Sequence, residues 1–137
     1  MYKYNHTELA WAAGLFDGEG YVGWVKNCGM RLSIGQVHRY VLERFMSAVG
    51  VGKIVGPYAF KQRIDGYNRK PRYDYVTQTH ESIQAIACVL WPHLSAVKRE
   101  QFRSVLAKAK ELYTADKSLK RRYAMQNRTR TLEVAAS

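Results

Sequence analysis

The chain is poor in cysteine and has no long apolar run. Its two cysteines, Cys28 and Cys88, are far apart, and no CxxC or CxxH spacing points to zinc. Both lie in apolar stretches, which predicts buried thiols in a reducing compartment. The longest apolar run, residues 85–91, is far too short to span a bilayer, and the first residues show no signal-peptide pattern. We therefore expect an intracellular protein without a membrane partner, cytoplasmic if it comes from a bacterium or phage, and organellar or nuclear if it comes from a eukaryote.

Acidic residues are also scarce. The chain has 11 Asp and Glu against 22 Lys and Arg, a formal net charge of +11 and a sequence pI near 9.8. This excess of positive charge makes nucleic acid the leading partner. A basic membrane-surface protein is the competing interpretation, but the Lys and Arg residues are spread along the chain and no strongly amphipathic basic helix stands apart.

A length of 137 residues suits one compact domain with its own hydrophobic core. We expect that domain to cover residues 1–116 and to be followed by a basic extension over residues 117–137. The extension has six basic residues against a single acid, Glu133. It is either a phosphate-contacting segment or a solvated tail, since nothing in its sequence specifies a fold.

Hydrophobic periodicity predicts helices that alternate with hairpins. Asn27-Cys28-Gly29 is typical of a hairpin turn, Gly50 closes the second helix, and Pro92 kinks or ends the third. The predicted order is helix 7–17 with Thr7 as N-cap, strands 21–26 and 30–37, helix 40–49, strands 53–63 and 72–79, and helices 82–94 and 97–112. This order indicates an α+β domain in which four antiparallel strands carry helices on one face.

The other face of the sheet is expected to be open. Polar and basic side chains alternate there with apolar or aromatic ones, and the predicted DNA-contacting residues are Arg31, Ser33, Lys61, Arg63, Arg72, Asp74 and Gln78. A basic, hydrogen-bonding sheet suits the major groove of DNA, and a merely solvated face is the alternative. In the first strand, the sequence does not decide which residues face inwards, because Trp24 and Val25 are adjacent and both suit the inner side.

Residues 9–20 read LAWAAGLFDGEG, a small and apolar run that stops at two acids, Asp17 and Glu19. Glycines on both sides of Glu19 let the backbone leave helical geometry without steric cost. The carboxylate then lies beside helix-end carbonyls that carry partial negative charge, and such a cluster attracts a divalent cation. The alternative is a helix C-cap whose two acids are solvated.

The same helix carries small residues on one stripe. Ala10, Ala13, Gly14 and Asp17 recur at helical spacing. Glycine inside a surface helix costs about 1 kcal/mol relative to alanine, so Gly14 indicates contact with another backbone. If that backbone belonged to a second copy of the chain, the two Glu19 carboxylates would emerge side by side.

Residues 12–20, Ala-Ala-Gly-Leu-Phe-Asp-Gly-Glu-Gly, resemble the nine-residue signature of the LAGLIDADG homing endonucleases. Ala12 stands in place of the leading leucine, Phe16 in place of isoleucine, Gly18 in place of the second alanine, and Glu19 in place of the more frequent aspartate. The resemblance extends over about residues 7–112. It implies the family's αββαββα core, a concave DNA-binding sheet, and a dimer interface formed by the signature helix.

The resemblance also implies roles for individual residues. Glu19 would bind the catalytic metal, Mg²⁺ or Mn²⁺, with the carbonyl of Gly18 as a further ligand, and Asp17 would have a structural or capping role. The stretch Leu-Ser-Ile-Gly-Gln ending at Gln36 matches the polar strand end of the family, and Lys98 matches the lysine that opens its last core helix. Gln36 and Lys98 thereby take catalytic positions around the scissile phosphate.

Each of these assignments has an alternative. Gln36 shares parity with apolar neighbours and could be a hydrogen-bonded strand-end residue, and Lys98 could be a solvated lysine at a helix start. Arg39, with His38 before it, lies at the start of the second helix, where a further basic active-site residue is expected. The remaining histidines show no ligand spacing.

The sequence contains one signature, so a complete two-fold site needs two chains. The leading hypothesis is a metal-dependent, site-specific double-strand DNA endonuclease that acts as a homodimer on a long pseudo-palindromic target. The alternative is a relative that binds nucleic acid without cleaving it, either an intron RNA maturase or a DNA-binding regulator. A ribosomal-type RNA-binding protein would account for the charge but not for the acid-ended helix of small residues.

Overall fold

A computed structural model of the chain describes residues 3–58 and 70–115. In chain order its elements are α1 (His6–Glu19), β1 (Gly20–Val25), β2 (Gly29–Gln36), α2 (Arg39–Val49), β3 (Lys53–Tyr58), β4 (Arg72–Thr77), α3 (His80–Leu90), a 3-10 turn (Trp91–His93) and α4 (Ala96–Ala115). The order confirms the predicted α+β arrangement of helix, hairpin, helix, hairpin and helices.

The four strands form one antiparallel sheet in the order β1-β2-β4-β3. Along β2, Met30, Leu32 and Ile34 are buried, and the residues between them are only half-buried. Directly paired residues point to the same side of a sheet, so Tyr75, the partner of Ile34 in β4, also lies on this inner face. The inner face packs against the helices, and the opposite face is open.

Aromatic side chains join the helices to the inner face. The Phe16 ring of α1 lies 5.4 Å from Phe102 of α4 and 6.5 Å from Phe45 of α2, measured between ring centroids. Phe45 in turn meets the edge of Tyr75 at 4.9 Å. The Tyr75 hydroxyl donates to the carbonyl of Val51 at 2.6 Å, and burial raises the pKa of this phenol well above its usual range. Phe16 therefore anchors the end of α1 in the core, three residues before Glu19.

An exposed ion pair joins α1 to α2. Arg44 donates from Nε and Nη2 to the two carboxylate oxygens of Glu8 at 2.9 and 2.8 Å. The Arg44 guanidinium also lies 4.0 Å from the centroid of the Trp11 ring. The hydrogen bond from Arg44 lowers the pKa of Glu8 below its ordinary value.

Two local predictions are wrong. The N-cap of α1 is Asn5, whose Oδ1 accepts from the backbone N–H of Glu8 at 3.1 Å, and Thr7 is already inside the helix. Cys28 and Cys88 are exposed rather than buried. Cys28 lies in the β1–β2 turn, and Cys88 lies on the side of α3 away from the core residues of that helix.

Other turn and cap predictions are confirmed. Asn27 and Gly29 have positive φ in the β1–β2 hairpin, and Gly50 ends α2 in the left-handed region. Helix α3 ends at Leu90, and Pro92 belongs to the 3-10 turn that follows.

Pairing also settles the parity of β1. Trp24 is opposite the buried Met30 and lies on the inner face, so Val25 lies on the open face.

The chain divides into two compact units, Met1–Leu106 and Ala107–Ser137. In the second unit only the end of α4 is described, and the predicted extension over residues 117–137 lies outside the described residues. Within the described ranges, none of the helices has the length and apolar character that a membrane crossing requires.

Candidate functional site

Helix α1 passes directly into β1 at Gly20. The Gly20 backbone N–H donates to the carbonyl of Phe16, and its φ and ψ, −81° and 149°, are those of ordinary extended backbone. The backbone at Gly20 therefore does not need the conformational freedom of glycine that the sequence suggested. Glycine is needed because a Cβ at this position would overlap the Phe16 ring. Close packing on Phe16 thus fixes where the chain turns from α1 into the sheet.

Two contacts hold the start of α4 against this junction. The backbone N–H of Ser95 donates to both carboxylate oxygens of Asp17 at 3.1 and 3.2 Å. The Ser95 hydroxyl accepts from the backbone N–H of Lys98, which caps α4. Lys98 Nζ then donates to the carbonyl of Gly20 at 2.6 Å. Asp17 therefore joins the end of α1 to the start of α4, and Lys98 lies next to the end of α1.

Glu19 is the last residue of α1 and its side chain is exposed. Within residues 3–58 and 70–115 it makes no hydrogen bond or ion pair. The final carbonyls of a helix carry partial negative charge, which the Glu19 carboxylate reinforces. No group of three or more His, Cys, Asp or Glu comes together among the described residues to hold a metal. One chain thus offers a single carboxylate and backbone oxygens, a hard donor set that leaves most ligand positions to water or phosphate.

Gln36 and Arg39 lie at the same end of the sheet. Gly20 pairs with Ile34, so Gln36, two residues further along β2, lies at the end of the sheet where α1 passes into β1. Gln36 pairs with Tyr73 of β4, is half-buried, and makes no side-chain hydrogen bond to another described residue. Arg39 opens α2, with its guanidinium 5.6 Å from the Tyr73 ring centroid and Nε 2.9 Å from Glu43.

The predicted stripe on α1 is only partly exposed. Ala13 is fully buried within its own chain, and Asp17 is half-buried and accepts from Ser95. Ala10 and Gly14 are exposed, and the next exposed residue at the same spacing is Gly18. A Cβ at Gly14 or Gly18 would meet nothing within 4 Å. The exposed small-residue stripe is therefore Ala10, Gly14 and Gly18.

The open sheet face carries most of the predicted DNA-contacting residues. Arg31 and Ser33 lie on it in β2, Arg72 and Asp74 lie on it in β4, and the exposed Gln78 follows β4 directly. Lys61 and Arg63 lie outside the described residues.

Sequence reasoning missed two residues of this face. Tyr21 pairs with Ser33, and Lys53 pairs with Val76, so both lie on the open side. Alternation along β1 would have identified Tyr21 once Trp24 was assigned to the inner face.

No family model and no curated protein matches this chain. Solved structures do match. The homing endonuclease I-CvuI in complex with its target is 24% identical, with 82% of this chain covering 73% of that one at a TM-score of 0.59. The archaeal intron-encoded I-Vdi141I in complex with DNA is 19% identical, with coverages of 80% and 71% and a TM-score of 0.58.

A longer chain matches as well. The LAGLIDADG meganuclease I-CpaMI bound to uncleaved DNA is 17% identical, with 85% of this chain covering 41% of that chain at a TM-score of 0.52. The protein therefore has the fold of the LAGLIDADG homing endonucleases, as the signature in α1 predicts.

Proposed function

We propose that the protein is a site-specific double-strand DNA endonuclease of the homing type that acts as a homodimer. The observation that carries the proposal is that Glu19, Lys98 and Gln36 all lie at one end of a sheet whose open face bears basic residues. Solved neighbours with this fold support it, because I-CvuI and I-Vdi141I are described in complexes with DNA.

Glu19 and the backbone carbonyl of Gly18 are the groups that would hold a divalent metal, Mg²⁺ or Mn²⁺. Their chemistry fits, since both are hard oxygen donors at a helix end with partial negative charge. When bound, such a metal activates water and neutralises charge on the phosphate. Structures of I-CvuI in complex with DNA were obtained in the presence of Ca and in the presence of Mg, the latter with the DNA not cleaved, so this fold is compatible with divalent-metal conditions.

The other residues act on the phosphate and its water. Lys98 provides a fixed positive charge beside the negative charge that develops during phosphodiester hydrolysis. The Gln36 carboxamide, which has no partner among the described side chains, can orient a water molecule. Arg39 can exchange its exposed contact with Glu43 for a phosphate oxygen, because an exposed ion pair contributes only about 0–1 kcal/mol.

Two copies are needed to cut both strands, since one chain contains one Glu19. The stripe of Ala10, Gly14 and Gly18 would let two α1 helices approach closely and bring their Glu19 ends together. The lengths of two neighbours support the need for two copies. This chain spans only 41% of the I-CpaMI chain and 46% of the I-SmaMI chain. Each copy would then cut one strand of a pseudo-palindromic target.

Binding without cleavage is the alternative, as in an intron RNA maturase or a DNA-binding regulator. The exposed Glu19 argues against it, because an unpaired carboxylate at the edge of a phosphate-binding surface repels the ligand and serves no purpose in a pure binder.

The test is to incubate the purified protein with a randomised pseudo-palindromic duplex library, with Mg²⁺ and separately with Ca²⁺, and to sequence both cut ends and bound DNA. Discrete double-strand cuts with Mg²⁺ support the endonuclease. Enrichment of bound sequences without cut ends in either metal, with Mn²⁺ as a further check, would contradict it in favour of a binding protein.

A further inference from the structure

The open sheet face contains one acid beside a base. Arg72 Nε donates to Asp74 Oδ1 at 3.3 Å, and both side chains project from β4, one of the two central strands. Asp74 is the more covered of the two, with 23% of its side chain exposed against 51% for Arg72. A carboxylate on a surface that binds a polyanion weakens that binding. Asp74 must therefore serve a purpose other than attracting phosphate.

Gly35 of β2 completes the arrangement. It is the register partner of Asp74, and a Cβ built on it would overlap Nη2, Cζ and Nε of Arg72. The guanidinium therefore lies across β2 in the space that a side chain at Gly35 would fill. Asp74 holds its Nε, and the two terminal nitrogens donate to no other described residue.

This geometry suits a base better than a phosphate. The pair has no net charge, so it contributes little to the long-range attraction of DNA. A guanidinium whose Nε is bonded to Asp74, and whose two terminal nitrogens have no partner among the described residues, can donate to O6 and N7 of guanine together, which is the most frequent specific contact in the major groove.

The position of Arg72 along the sheet selects the part of the target that it can reach. It precedes Tyr73, the partner of Gln36, so it lies at the sheet end where Glu19 and Lys98 are found. The β1–β2 turn, Lys26–Cys28, lies at the other end. A base contacted by Arg72 is therefore close to the cleaved phosphate, in the inner half of each half-site.

We propose that Arg72, positioned by Asp74 and Gly35, reads a guanine in the inner half of each half-site. The inference rests on the proposed DNA-cleaving function and adds to it one base of the target. Arg72 is the contacting residue, and Asp74 and Gly35 act through it.

The test is a binding selection in Ca²⁺ with the full chain and the pseudo-palindromic library, followed by competition between the selected duplex and duplexes changed at single inner base pairs. The wild-type protein should prefer guanine at one inner position by about ten- to a hundredfold. Arg72→Lys keeps the charge but not the fork of donors, and it should lower that preference to about threefold or less. Arg72→Ala should do the same.

Substitutions of Asp74 and Gly35 test their positioning role directly, because each should change the guanine preference without removing Arg72. Asp74→Ala should lower the guanine preference while it raises affinity for unrelated DNA, because a carboxylate leaves the face. Gly35→Ala should fold, since only the flexible end of Arg72 must move, and should lose the preference. Gly23→Ala is the matched control, because a Cβ there meets the Tyr21 side chain on the same face. It should keep the guanine preference.

Other results would overturn the inference. A selected site with no inner guanine, or a guanine preference that survives in Arg72→Lys and Arg72→Ala, shows that Arg72 does not read this base. Equal weakening of all duplexes by Arg72→Ala, with a shallower salt dependence, shows a phosphate contact instead. DNA binding without the preference leaves the proposed function intact, whereas absence of any DNA binding contradicts both proposals.

Discussion

Lys98 Nζ donates to the carbonyl of Gly20 at 2.6 Å and thereby joins two segments that are 78 residues apart in the sequence. Its ring contact supports the same position, since Nζ lies 5.4 Å from the centroid of Phe16. Together with the contact between Asp17 and Ser95, this bond holds the positive charge of Lys98 at the carbonyl of Gly20, the residue that follows Glu19. The site is therefore built by the docking of α4 on the end of α1.

Replacing Lys98 by methionine should lower the DNA cleavage rate by about a hundredfold or more, because removal of one preorganised donor at a developing charge costs that much in other enzymes. Affinity for the selected duplex should change by less than about tenfold. Cleavage under single-turnover conditions and binding in Ca²⁺ measure the two effects. Lys110→Met, at an exposed position of the same helix, is the control and should leave the cleavage rate within about threefold of wild type. Equal losses in both variants would contradict a local role for Lys98.

Replacing Asp17 by alanine should lower the free energy of unfolding by about 1–2 kcal/mol, because the Ser95 N–H at the start of α4 loses its carboxylate acceptor. Urea titration followed by circular dichroism measures the change. Glu100→Ala removes an exposed carboxylate of α4 that forms an exposed ion pair with Arg103, and it should stay within about 0.5 kcal/mol of wild type. An unfolding free energy for Asp17→Ala that equals wild type would show that the contact does not hold α4 in place.

The ion pair between Glu8 and Arg44 should make stability depend on acid pH. The pKa of Glu8 is lowered in the folded protein, so the group stabilises the fold above its unfolded pKa, and this stabilisation is lost as the pH falls through the folded pKa. Glu8→Gln should therefore be less stable than wild type at pH 7, and this difference should narrow as the pH falls towards 2.5. Thermal or urea midpoints of the two proteins across this range measure the difference. A gap that persists undiminished at pH 2.5 would show that packing rather than charge is responsible.

Substitutions at Gly14 distinguish the stability of the chain from that of the proposed dimer. Alanine at this exposed helical position should raise helix stability by up to about 1 kcal/mol, since its Cβ meets nothing within the chain. Leucine there should prevent the close approach of two α1 helices and shift the protein towards monomer in analytical ultracentrifugation. Ser47→Leu adds the same apolar group at an exposed position of α2 and should leave the dimer intact. An unchanged dimer in Gly14→Leu would exclude α1 from the interface.

Local signals predicted much of the fold. Alternation along β2, positive φ at Asn27 and Gly29, and the left-handed Gly50 each follow from a few neighbouring residues, and the structure has all of them. The signature in α1 likewise predicted the homing-endonuclease fold that the solved neighbours share.

Two features could not be predicted from the sequence: which face of α1 is buried against the core, and the contacts between segments that are distant in the chain. Small residues at positions 10, 13, 14, 17 and 18 fit a stripe in more than one rotation, and the packing of Phe16 decides that Ala13 is buried and Gly18 exposed. Cys88 is flanked in the sequence by core residues of α3, but the rotation of the helix turns its side chain to the exposed face. The contact of Lys98 with Gly20 depends on the docking of α4, which no local pattern encodes.

The most direct test of the account is a comparison of cutting and binding by Glu19→Gln on the duplex selected with the wild-type protein. Loss of the carboxylate should lower the Mg²⁺-dependent cleavage rate by about a thousandfold or more, because metal stabilisation of the transition state is worth several kcal/mol. Binding should be intact or tighter, since a negative charge leaves the phosphate-binding edge. Cleavage at the wild-type rate, or a parallel loss of cutting and binding, would contradict the assignment of Glu19 as the metal ligand.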